Sequence, residues 1–294
     1  MLYESPDQPA GAIQLPKGLA ALYDGGLALG DDAVYANFVS SLDGVASVGG
    51  RRGSGSMISG RDGADRFVMG LLRALADAVL VGAGTLRAEG GQPWSPRRIS
   101  PAHADAYASL DRPDPLLVVA TASGELDPGE PAFEMPTVVV TTAAGAAVLR
   151  GRLPATARLR VLPDGRLGGR TILEAIRAEG CRRVLAEGGP RLLATLIGDE
   201  VVDDLFLTLS PVLAGRRTAG RPGEARPGLV EGIEFLPEAA RRATLLSVRS
   251  HGSHLFLHYR LERARAAAAD RKPRGEARLA PTGIRSSAPG RSRR

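Results

Sequence analysis

The stretch VLAEGGPRLLATLI places an acid and two glycines between an apolar run and a helix-like segment. A tight turn from strand to helix would by itself explain glycines here. Gly188 and Gly189 would also let a ligand approach the main chain without interference from a Cβ atom. Pro190 favours the first turn of a helix, whose positive end attracts anions, and Arg191 adds a formal charge. These features predict a site for a diphosphate. Glu187 would repel phosphate, so we expect it to face an N–H-bearing group instead.

Three further polar groups follow apolar runs that predict strands. Asp43 lies in SSLDG, Thr85 and Glu89 lie in VGAGTLRAEG, and Thr121 ends PLLVVAT. An open parallel sheet binds ligands where its strands end, because loops diverge there and helix N-termini point free N–H groups outward. Each signal is weak alone, and Asp43 could simply satisfy its own backbone in an Asx turn.

The chain lacks the residues that several other kinds of site require. Cys181 is the only cysteine, which excludes an intramolecular disulfide and a multi-cysteine zinc site. No H-x-x-x-H motif occurs in a predicted helix, since His254 and His258 lie in a predicted strand. No C-x-x-C or G-x-S-x-G motif occurs, and GSGS is not followed by Gly-Lys-Ser/Thr. Gly82 and Gly84 follow a strand, but Arg87 stands where a dinucleotide fingerprint needs its third glycine. We therefore expect no metal ion and no Rossmann fingerprint.

Predicted strands and helices alternate and would position these groups. DGADRFVMGLLRALA predicts a helix over 62–76 with Asp62 as its cap, and RTILEAIRAEG predicts a helix ended by Gly180. Several strands are continuously apolar, which is typical of a parallel sheet covered on both faces. We expect an α/β fold with a mostly parallel central sheet, helices on both faces and an antiparallel C-terminal edge. The predicted strands are 33–39, 77–82, 115–121, 136–142, 157–163, one within RRVLAEGG, 204–210, and two near 243–249 and 254–260.

Composition and charge narrow the class of protein. The chain has 294 residues, 44% of them hydrophobic, which is ordinary for a globular protein. No apolar run is long enough for a membrane span, and the N-terminus does not resemble a secretory signal, so we expect a cytoplasmic location. Residues 260–294 carry eleven basic and three acidic side chains, so the net charge of +6 comes from this tail. We expect an irregular arm at 1–30, one domain at 31–261, and a disordered basic tail at 262–294, which would attract polyanions weakly.

Four blocks of sequence, in this order and spacing, resemble the reductase domain of riboflavin biosynthesis, which has a dihydrofolate-reductase-like fold: NFVSSLDG, FVMGLLRALADAVLVGAGTLRAEG, RRVLAEGGPRLLATLI and VVDDLFLTLSPVLAG. The resemblance extends from about residue 33 to 260, and it is greatest to stand-alone pyrimidine reductases, since only a short arm precedes it. It implies NADPH as hydride donor and a 5-amino-6-(5-phosphoribosylamino)uracil-type pyrimidine as substrate. The ribose of that substrate would be reduced to a ribityl chain.

The resemblance also implies roles for individual residues. Glu187, Asp43 and Arg73 would contact the substrate. We expect Glu187, with Asp43 as second candidate, to hold or donate the proton that accompanies hydride transfer. The family implies a homodimer, with contacts near DLFLTLS. The implied cofactor contacts are Val39, Thr85, Glu89, Thr121, Gly188, Gly189, Pro190, Arg191 and Leu192.

The chain departs from the family pattern after the threonine loop. Glu89 stands where the family has an aspartate, and EGGQPWSPRR replaces Asp-Asp-Pro and the downstream arginine that grips the substrate phosphate. Trp94 and the pair Arg97 and Arg98 occur there at shifted spacing. Two alternatives therefore stay open: reduction of dihydrofolate or another pterin, and a non-catalytic nucleotide-binding protein that kept the fold.

Overall fold

The computed structural model describes residues 1–6, 12–48, 53–89, 93–163, 165–216, 226–237 and 239–263. Ten strands and nine α-helices lie within these residues. The strands are β1 (Tyr3–Glu4), β2 (Val34–Ser40), β3 (Ala78–Gly82), β4 (Leu116–Thr121), β5 (Thr137–Thr141), β6 (Ala157–Val161), β7 (Val184–Ala186), β8 (Asp204–Leu209), β9 (Ala243–His251) and β10 (His254–Leu261). The helices are α1 (Lys17–Tyr23), α2 (Ser54–Ile58), α3 (Gly63–Leu75), α4 (Ala83–Glu89), α5 (Pro96–Ile99), α6 (Ala104–Ala108), α7 (Ala143–Leu149), α8 (Gly169–Arg177) and α9 (Pro190–Gly198).

The strands form one mixed sheet in the order β1-β9-β10-β8-β2-β7-β3-β4-β5-β6. The seven strands from β8 to β6 are parallel, and β10, β9 and β1 continue the sheet antiparallel to their neighbours. The predicted α/β fold, with a mostly parallel sheet and an antiparallel C-terminal edge, is confirmed. Parallel pairing brings the carboxyl ends of β2, β7, β3 and β4 to one edge of the sheet.

Two apolar cores cover the two faces of the sheet, as the continuously apolar strands predict. Alternate strand residues divide between them: Val79 and Val81 lie in the first core, and Ala78 and Leu80 lie in the second. Helix α3 packs its apolar stripe on the first face, and α8 and α9 pack theirs on the second. The predicted cap of α3 is present, since Asp62 Oδ1 accepts hydrogen bonds from the amides of Ala64 and Asp65.

The prediction of an irregular arm over residues 1–30 was wrong for much of its described part. Tyr3–Glu4 pairs with β9, and the helix α1 buries Leu19 and Tyr23 in the first core. Leu19 and Tyr23 are four residues apart, so they share one face of a single turn of helix. The signal was overlooked because the segment is short and flanked by proline and glycine.

Two short helices were not predicted. The stretch VGAGTLRAEG contains the helix α4, and the helix α2 begins within GSGS. Both edges of β8, which contains most of DLFLTLS, are paired within the chain, with β2 on one side and β10 on the other. The predicted disordered tail lies outside the described residues beyond Arg263. None of the described helices has the length and apolar character needed to cross a membrane.

Candidate active site

The polar groups singled out by sequence gather at the carboxyl edge of the parallel sheet. Asp43 follows β2, Thr85 and Glu89 lie on the helix after β3, Thr121 ends β4, and Glu187 follows β7. Arg73 comes from a different place, the last turn of α3, and reaches Glu187 with its side chain. The edge therefore collects residues separated by more than 140 positions in the chain.

Strands β3 and β7 are neighbours in the sheet, and the space at this edge between the starts of the helices that follow them, α4 and α9, is called the crevice below. The helix α4 leaves β3 toward the first core, where Leu86 is buried. The helix α9 leaves β7 toward the second core, where Leu193 and Leu196 are buried. The chain thus departs to opposite faces on the two sides of one strand junction. Such a topological switch point is where open α/β sheets bind their ligands.

The two glycines after Glu187 have different surroundings. A Cβ on Gly188 would lie 2.5 Å from Leu192 Cδ2, so this glycine is required for the close packing of the first turn of α9. A Cβ on Gly189 would meet only Thr85 Oγ1, at 3.3 Å. Gly189 therefore faces the crevice next to the Thr85 hydroxyl, and it precedes Pro190 at the N-terminus of α9. Gly189 has more space than Gly188, although a Cβ there would still lie in tight contact with the Thr85 hydroxyl.

Arg73 and Glu187 form a buried ion pair. Arg73 Nε donates to both oxygens of Glu187 at 3.1 and 3.0 Å, and Nη2 donates to Oε2 at 2.6 Å. Their side chains are only 8% and 7% exposed. The guanidinium also lies 5.8 Å from the ring centroid of Trp94, which is buried and is the only tryptophan of the chain. Both oxygens of Glu187 therefore accept hydrogen bonds from Arg73.

Glu89 joins this pair from the C-terminal end of α4. Its Oε1 accepts a hydrogen bond from the Gly55 amide at 3.4 Å, which is long for such a bond. Burial raises the pKa of the Glu89 carboxyl, and the neighbouring charge of Glu187 acts in the same direction. The Gly55 amide and the charge of Arg73 oppose that rise. Glu89 thus lies on the side of the crevice that holds Arg73, and not beside the glycine turn.

Asp43 is held by hydrogen bonds from its own loop and from the loop after β8. Its Oδ1 accepts from the Ser41 hydroxyl at 2.6 Å and from the Ala214 amide at 2.9 Å, and its Oδ2 accepts from the Gly215 amide at 2.7 Å. The hydrogen bond from Ser41, followed by that from Ala214, lowers the pKa of Asp43 to about 2. A carboxylate so arranged joins the loop after β2 to the loop after β8 and holds no proton at neutral pH.

The remaining predicted contacts lie along the rim. Thr121 Oγ1 accepts from the Gly124 amide at 3.1 Å, which closes the turn after β4. Val39 is half-buried on β2 and its Cγ1 lies near Gly55. Arg191 is exposed on the first turn of α9.

Sequence reasoning missed Asn37. The last paired residues of β2 and β7 are Ala36 and Ala186, so Asn37 and Glu187 follow in register on neighbouring strands. Tyr35 and Leu185, two residues earlier, both lie in the first core, and strand alternation therefore directs Asn37 and Glu187 to that face. An asparagine inside the apolar run AVYANFV was the signal that could have found it.

A buried carboxyl, Asp65, lies farther along the same edge and was also missed. It is 6% exposed on the first turn of α3 and has hydrogen-bonding neighbours in Ser59 and Thr208. Burial raises its pKa, and the hydrogen bonds from Thr208 and Ser59 oppose that rise. The sequence did not single out Asp65, because acidic residues are common in the first turn of a helix.

The arrangement suits binding and orientation of a polar, planar ligand next to an anion. Two helix N-termini, the Thr85 hydroxyl and the open backbone at Gly189 offer donors on one side of the crevice. Arg73, Glu187, Glu89 and Asn37 offer charges, donors and acceptors on the other. Among the described residues, no group of three or more His, Cys, Asp or Glu side chains could hold a metal ion.

Comparisons with known proteins agree with this geometry. The curated 2,5-diamino-6-ribosylamino-4(3H)-pyrimidinone 5′-phosphate reductase of Archaeoglobus fulgidus is 26% identical over 205 residues, which cover 69% of this chain and 88% of that protein. A pyrimidine reductase-like protein from Corynebacterium diphtheriae has the same fold, with a TM-score of 0.57, 22% identity, and coverage of 79% of this chain and 92% of that one.

A second solved structure, the RibD protein of Acinetobacter baumannii, superposes with a TM-score of 0.59 at 19% identity. The match covers 79% of this chain but only 58% of that longer protein. The model of the RibD C-terminal domain matches residues 32–250, nearly three quarters of the chain. The chain belongs to the RibD C-terminal domain family.

Proposed function

We propose that this protein is an NADPH-dependent reductase of a 5-amino-6-(5-phosphoribosylamino)uracil-type pyrimidine in riboflavin biosynthesis. One observation carries the proposal: at the switch point Gly189, at the start of α9, lies beside the Thr85 hydroxyl and would hold an anion, and the buried Arg73–Glu187 pair lies at the same edge of the sheet. The printed name of the Archaeoglobus relative supports a ribosylaminopyrimidine phosphate as the substrate class. A cytoplasmic location is part of the same proposal.

The residues on the anion side fit a dinucleotide. Gly189 presents a backbone without a Cβ, Thr85 presents a hydroxyl beside it, and Arg191 is an exposed positive charge on the first turn of α9. We assign the pyrophosphate to Gly189, Pro190 and Arg191, with Gly188 and Leu192 shaping the turn by their mutual packing. Val39 and Thr121 would border the cofactor at the neighbouring strand ends. When bound, the reduced nicotinamide supplies a hydride.

The opposite side fits the substrate. Glu187, fixed by Arg73, would accept hydrogen bonds from N–H groups of the pyrimidine, and Asn37 beside it offers both a donor and an acceptor. Because Trp94 and the apolar floor of the first core surround this pair, its charges act in a region with little water. Asp43 would support the site by holding the loops after β2 and β8 together rather than by proton transfer.

A homodimer is the assembly we propose, through one face of the antiparallel half of the sheet. Leu207 of β8 and Leu257 of β10 lie directly opposite each other and are half-buried, as is Phe38 on β2. Leu229 and Phe235 also pack on this second face. A second copy of the chain would cover the remaining apolar area, and sedimentation equilibrium measures the oligomeric state.

The function is tested by following nicotinamide absorbance while the protein is incubated with NADPH and each candidate substrate. We expect oxidation with the ribosylaminopyrimidine phosphate and little with dihydrofolate. Binding is read separately, because Trp94 is the only tryptophan and its emission overlaps the absorption of reduced nicotinamide. Quenching of Trp94 without oxidation of any substrate would instead support the non-catalytic nucleotide-binding protein.

A further inference from the structure

We infer that residues 53–60, which contain the helix α2, form a lid over the substrate side of the crevice, where Arg73, Glu187 and Asn37 lie. Glu89 is the positioning residue that holds this lid closed. The inference rests on the proposed function and deepens it, because it concerns how the same site admits its pyrimidine. The lid has the sequence GSGSMISG, and the proposed chemistry gives these residues no role.

The lid crosses the carboxyl edge of the sheet. At its first end the Gly53 amide donates to the Ala88 carbonyl of α4 at 3.0 Å. At its other end the Ile58 carbonyl accepts from the Ser210 hydroxyl, just after β8, at 2.6 Å. Strands β2 and β7 lie between β8 and β3 in the sheet, and β3 leads into α4. The lid therefore spans the ends of β2 and β7.

The substrate side is covered while the lid is in this position. Gly55 of the lid lies over the end of β2, where a Cβ would be 3.8 Å from Val39 Cγ1. The side chains of Arg73 and Glu187 are 8% and 7% exposed, although Glu187 is proposed to accept hydrogen bonds from the pyrimidine. A pyrimidine can reach Glu187 only after an element at this edge moves. A lid that closes again would keep water away from the reacting centre.

A glycine flanks the lid at each end. Gly53 and Gly60 have φ values of 68° and 64°, a region that favours glycine, and a Cβ on either would meet no atom within 4 Å. Close packing therefore does not require them. Ile58 is the large apolar side chain of the lid that is buried, whereas Met57 is exposed. Few apolar contacts thus oppose a movement of α2 about these glycines.

Glu89 holds the first end of the lid. Its carboxylate accepts hydrogen bonds from the backbone amides of Ser54 and Gly55, the latter at 3.4 Å. A carboxylate at the start of a helix is favourable, because the first amides have no partner within the helix. Glutamate is one methylene longer than the aspartate that the family has at this position. Since the bond to Gly55 is already long, an aspartate would not reach α2.

Asp65 holds the other end of the lid. Its buried carboxylate accepts hydrogen bonds from the Ser59 and Thr208 hydroxyls, and His254 Nε2 donates to the Ser59 carbonyl at 3.1 Å. Burial raises the pKa of both Asp65 and Glu89, because it disfavours their charged forms, and the hydrogen bonds from the lid oppose this rise. The cost of burying each carboxylate offsets part of what its hydrogen bonds contribute, so the lid can open.

Glu89→Asp tests the inference, because it introduces the family's residue and shortens the reach to α2. We expect the KM for the ribosylaminopyrimidine phosphate to rise about tenfold, as for loss of a hydrogen bond to a charged group, with kcat changed less than about threefold. Glu89→Gln should raise KM in the same way. NADPH affinity, measured by quenching of Trp94, should be unchanged in both variants.

Three results would overturn the inference. A wild-type KM in Glu89→Asp would show that the reach to α2 is unimportant. A lower NADPH affinity would show that Glu89 contacts the cofactor instead. A lower kcat with an unchanged KM would show that Glu89 acts at the reacting atoms.

Asp199→Asn is the matched control. Asp199 Oδ2 accepts hydrogen bonds from the amides of Gly169 and Arg170 at the start of α8, at 2.5 and 3.4 Å, as Glu89 does at the start of α2. Helix α8 packs on the second face, away from the lid. The KM of Asp199→Asn should therefore equal that of the wild type, and an equal rise in KM would contradict a specific role of the lid.

Hydrogen exchange of residues 53–60 follows the lid without catalysis. In the unliganded protein these amides should exchange about tenfold faster in Glu89→Gln than in the wild type or Asp199→Asn. Saturating ribosylaminopyrimidine phosphate should slow their exchange in the wild type. Exchange that responds to neither the variant nor the ligand, or to only one of them, overturns the inference. A wild-type protein that neither binds nor reduces the pyrimidine overturns the proposed function, and the unliganded comparison still decides whether Glu89 holds the lid.

Discussion

Two clusters of buried charge lie on the same face of the sheet, and only one of them opens to a crevice. The cleft cluster consists of Arg73, Glu89, Glu187 and Trp94 at the carboxyl edge. The closed cluster consists of Asp204, His258 and Arg260, at the opposite end of β8. There Asp204 Oδ1 contacts His258 Nε2 at 3.0 Å and accepts from Arg260 Nη2 at 2.9 Å. The His258 ring stacks on Phe206, with centroids 4.0 Å apart.

The difference lies in what surrounds each cluster. Arg260 Nη2 also donates to the Ala28 carbonyl, and nearby Arg249 donates to the carbonyls of Tyr23 and Gly26. The N-terminal segment thus covers the closed cluster, so its charges serve the fold. The cleft cluster contains a weakly held carboxyl and borders the open backbone at Gly189. Buried charge therefore does not identify a site by itself, and the position of the cleft cluster at a switch point is what favours it as the candidate site.

The sharpest contrast would come from Glu187→Gln. Without its charge, Glu187 orients Arg73 and the substrate poorly, so we expect turnover to fall about 10³-fold. Cofactor affinity should change little, because Gly189 and Thr85 are unaltered. Initial rates and Trp94 quenching measure the two quantities. A variant that lost cofactor affinity but kept its turnover would place Glu187 on the wrong side of the crevice.

The same change in the closed cluster should have the opposite consequence. Asp204→Asn leaves Arg260 and His258 without their buried anion, so the free energy of unfolding should decrease by about 3 kcal/mol. Turnover per folded molecule should be unchanged, since no ligand reaches Asp204. Urea unfolding measures the change in stability, and the reaction rate per folded molecule measures turnover. A loss of turnover in the folded fraction would show that the two clusters are coupled.

The glycine turn gives a matched comparison within one edge of the sheet. Gly189 and Gly168 each precede a nine-residue helix, with similar φ and ψ values of −71° and 171°, and −80° and 149°. A Cβ would meet a threonine hydroxyl at 3.3 Å in both places. Gly189→Val should weaken NADPH binding about tenfold by steric exclusion. Equal affinities of Gly189→Val and Gly168→Val would remove the assignment of the pyrophosphate to α9.

Much of the frame was predictable from sequence, because the central strands β3, β4 and β5 are apolar runs between turn residues. Helix α3 and its cap at Asp62 followed from the spacing of Phe67, Leu71 and Leu75. The short helices α2 and α4 were missed, since helices of five and seven residues are too short to be stable alone and depend on packing.

The site was predictable only in part. The sequence placed Glu187 and the glycine turn at the end of a strand. It did not predict which residues of other elements each of them would contact. The partnership of Arg73 with Glu187 depends on sheet order, because β7 lies between β2 and β3. The direction of Glu89 toward Gly55, and of Asp43 toward Ala214, depends on loops whose conformation no local pattern encodes.

The two clusters should change the free energy of unfolding in opposite directions as the pH is raised. Burial lowers the pKa of His258, which Asp204 only partly opposes. As the pH falls, the unfolded chain therefore binds a proton at this histidine before the folded protein does. The contribution of His258 to the free energy of unfolding is complete above about pH 6.5 and decreases as the pH falls below that value. One proton accounts for at most about 1.4 kcal/mol per pH unit.

Glu89 has the opposite linkage. Its pKa is raised by burial, so the folded protein keeps a proton that the unfolded chain has already lost, and stability decreases as the pH rises past the ordinary glutamate value. Urea titrations over roughly pH 4 to 8 cover the ordinary pKa values of glutamate and histidine. In His258→Gln, the free energy of unfolding should decrease less steeply as the pH falls below about 6.5. Glu89→Gln should flatten the loss on raising the pH. Wild-type and variant curves that stay parallel would mean that neither group is held in the protonation state its surroundings favour, and the contrast between an open and a closed cluster would lose its electrostatic basis.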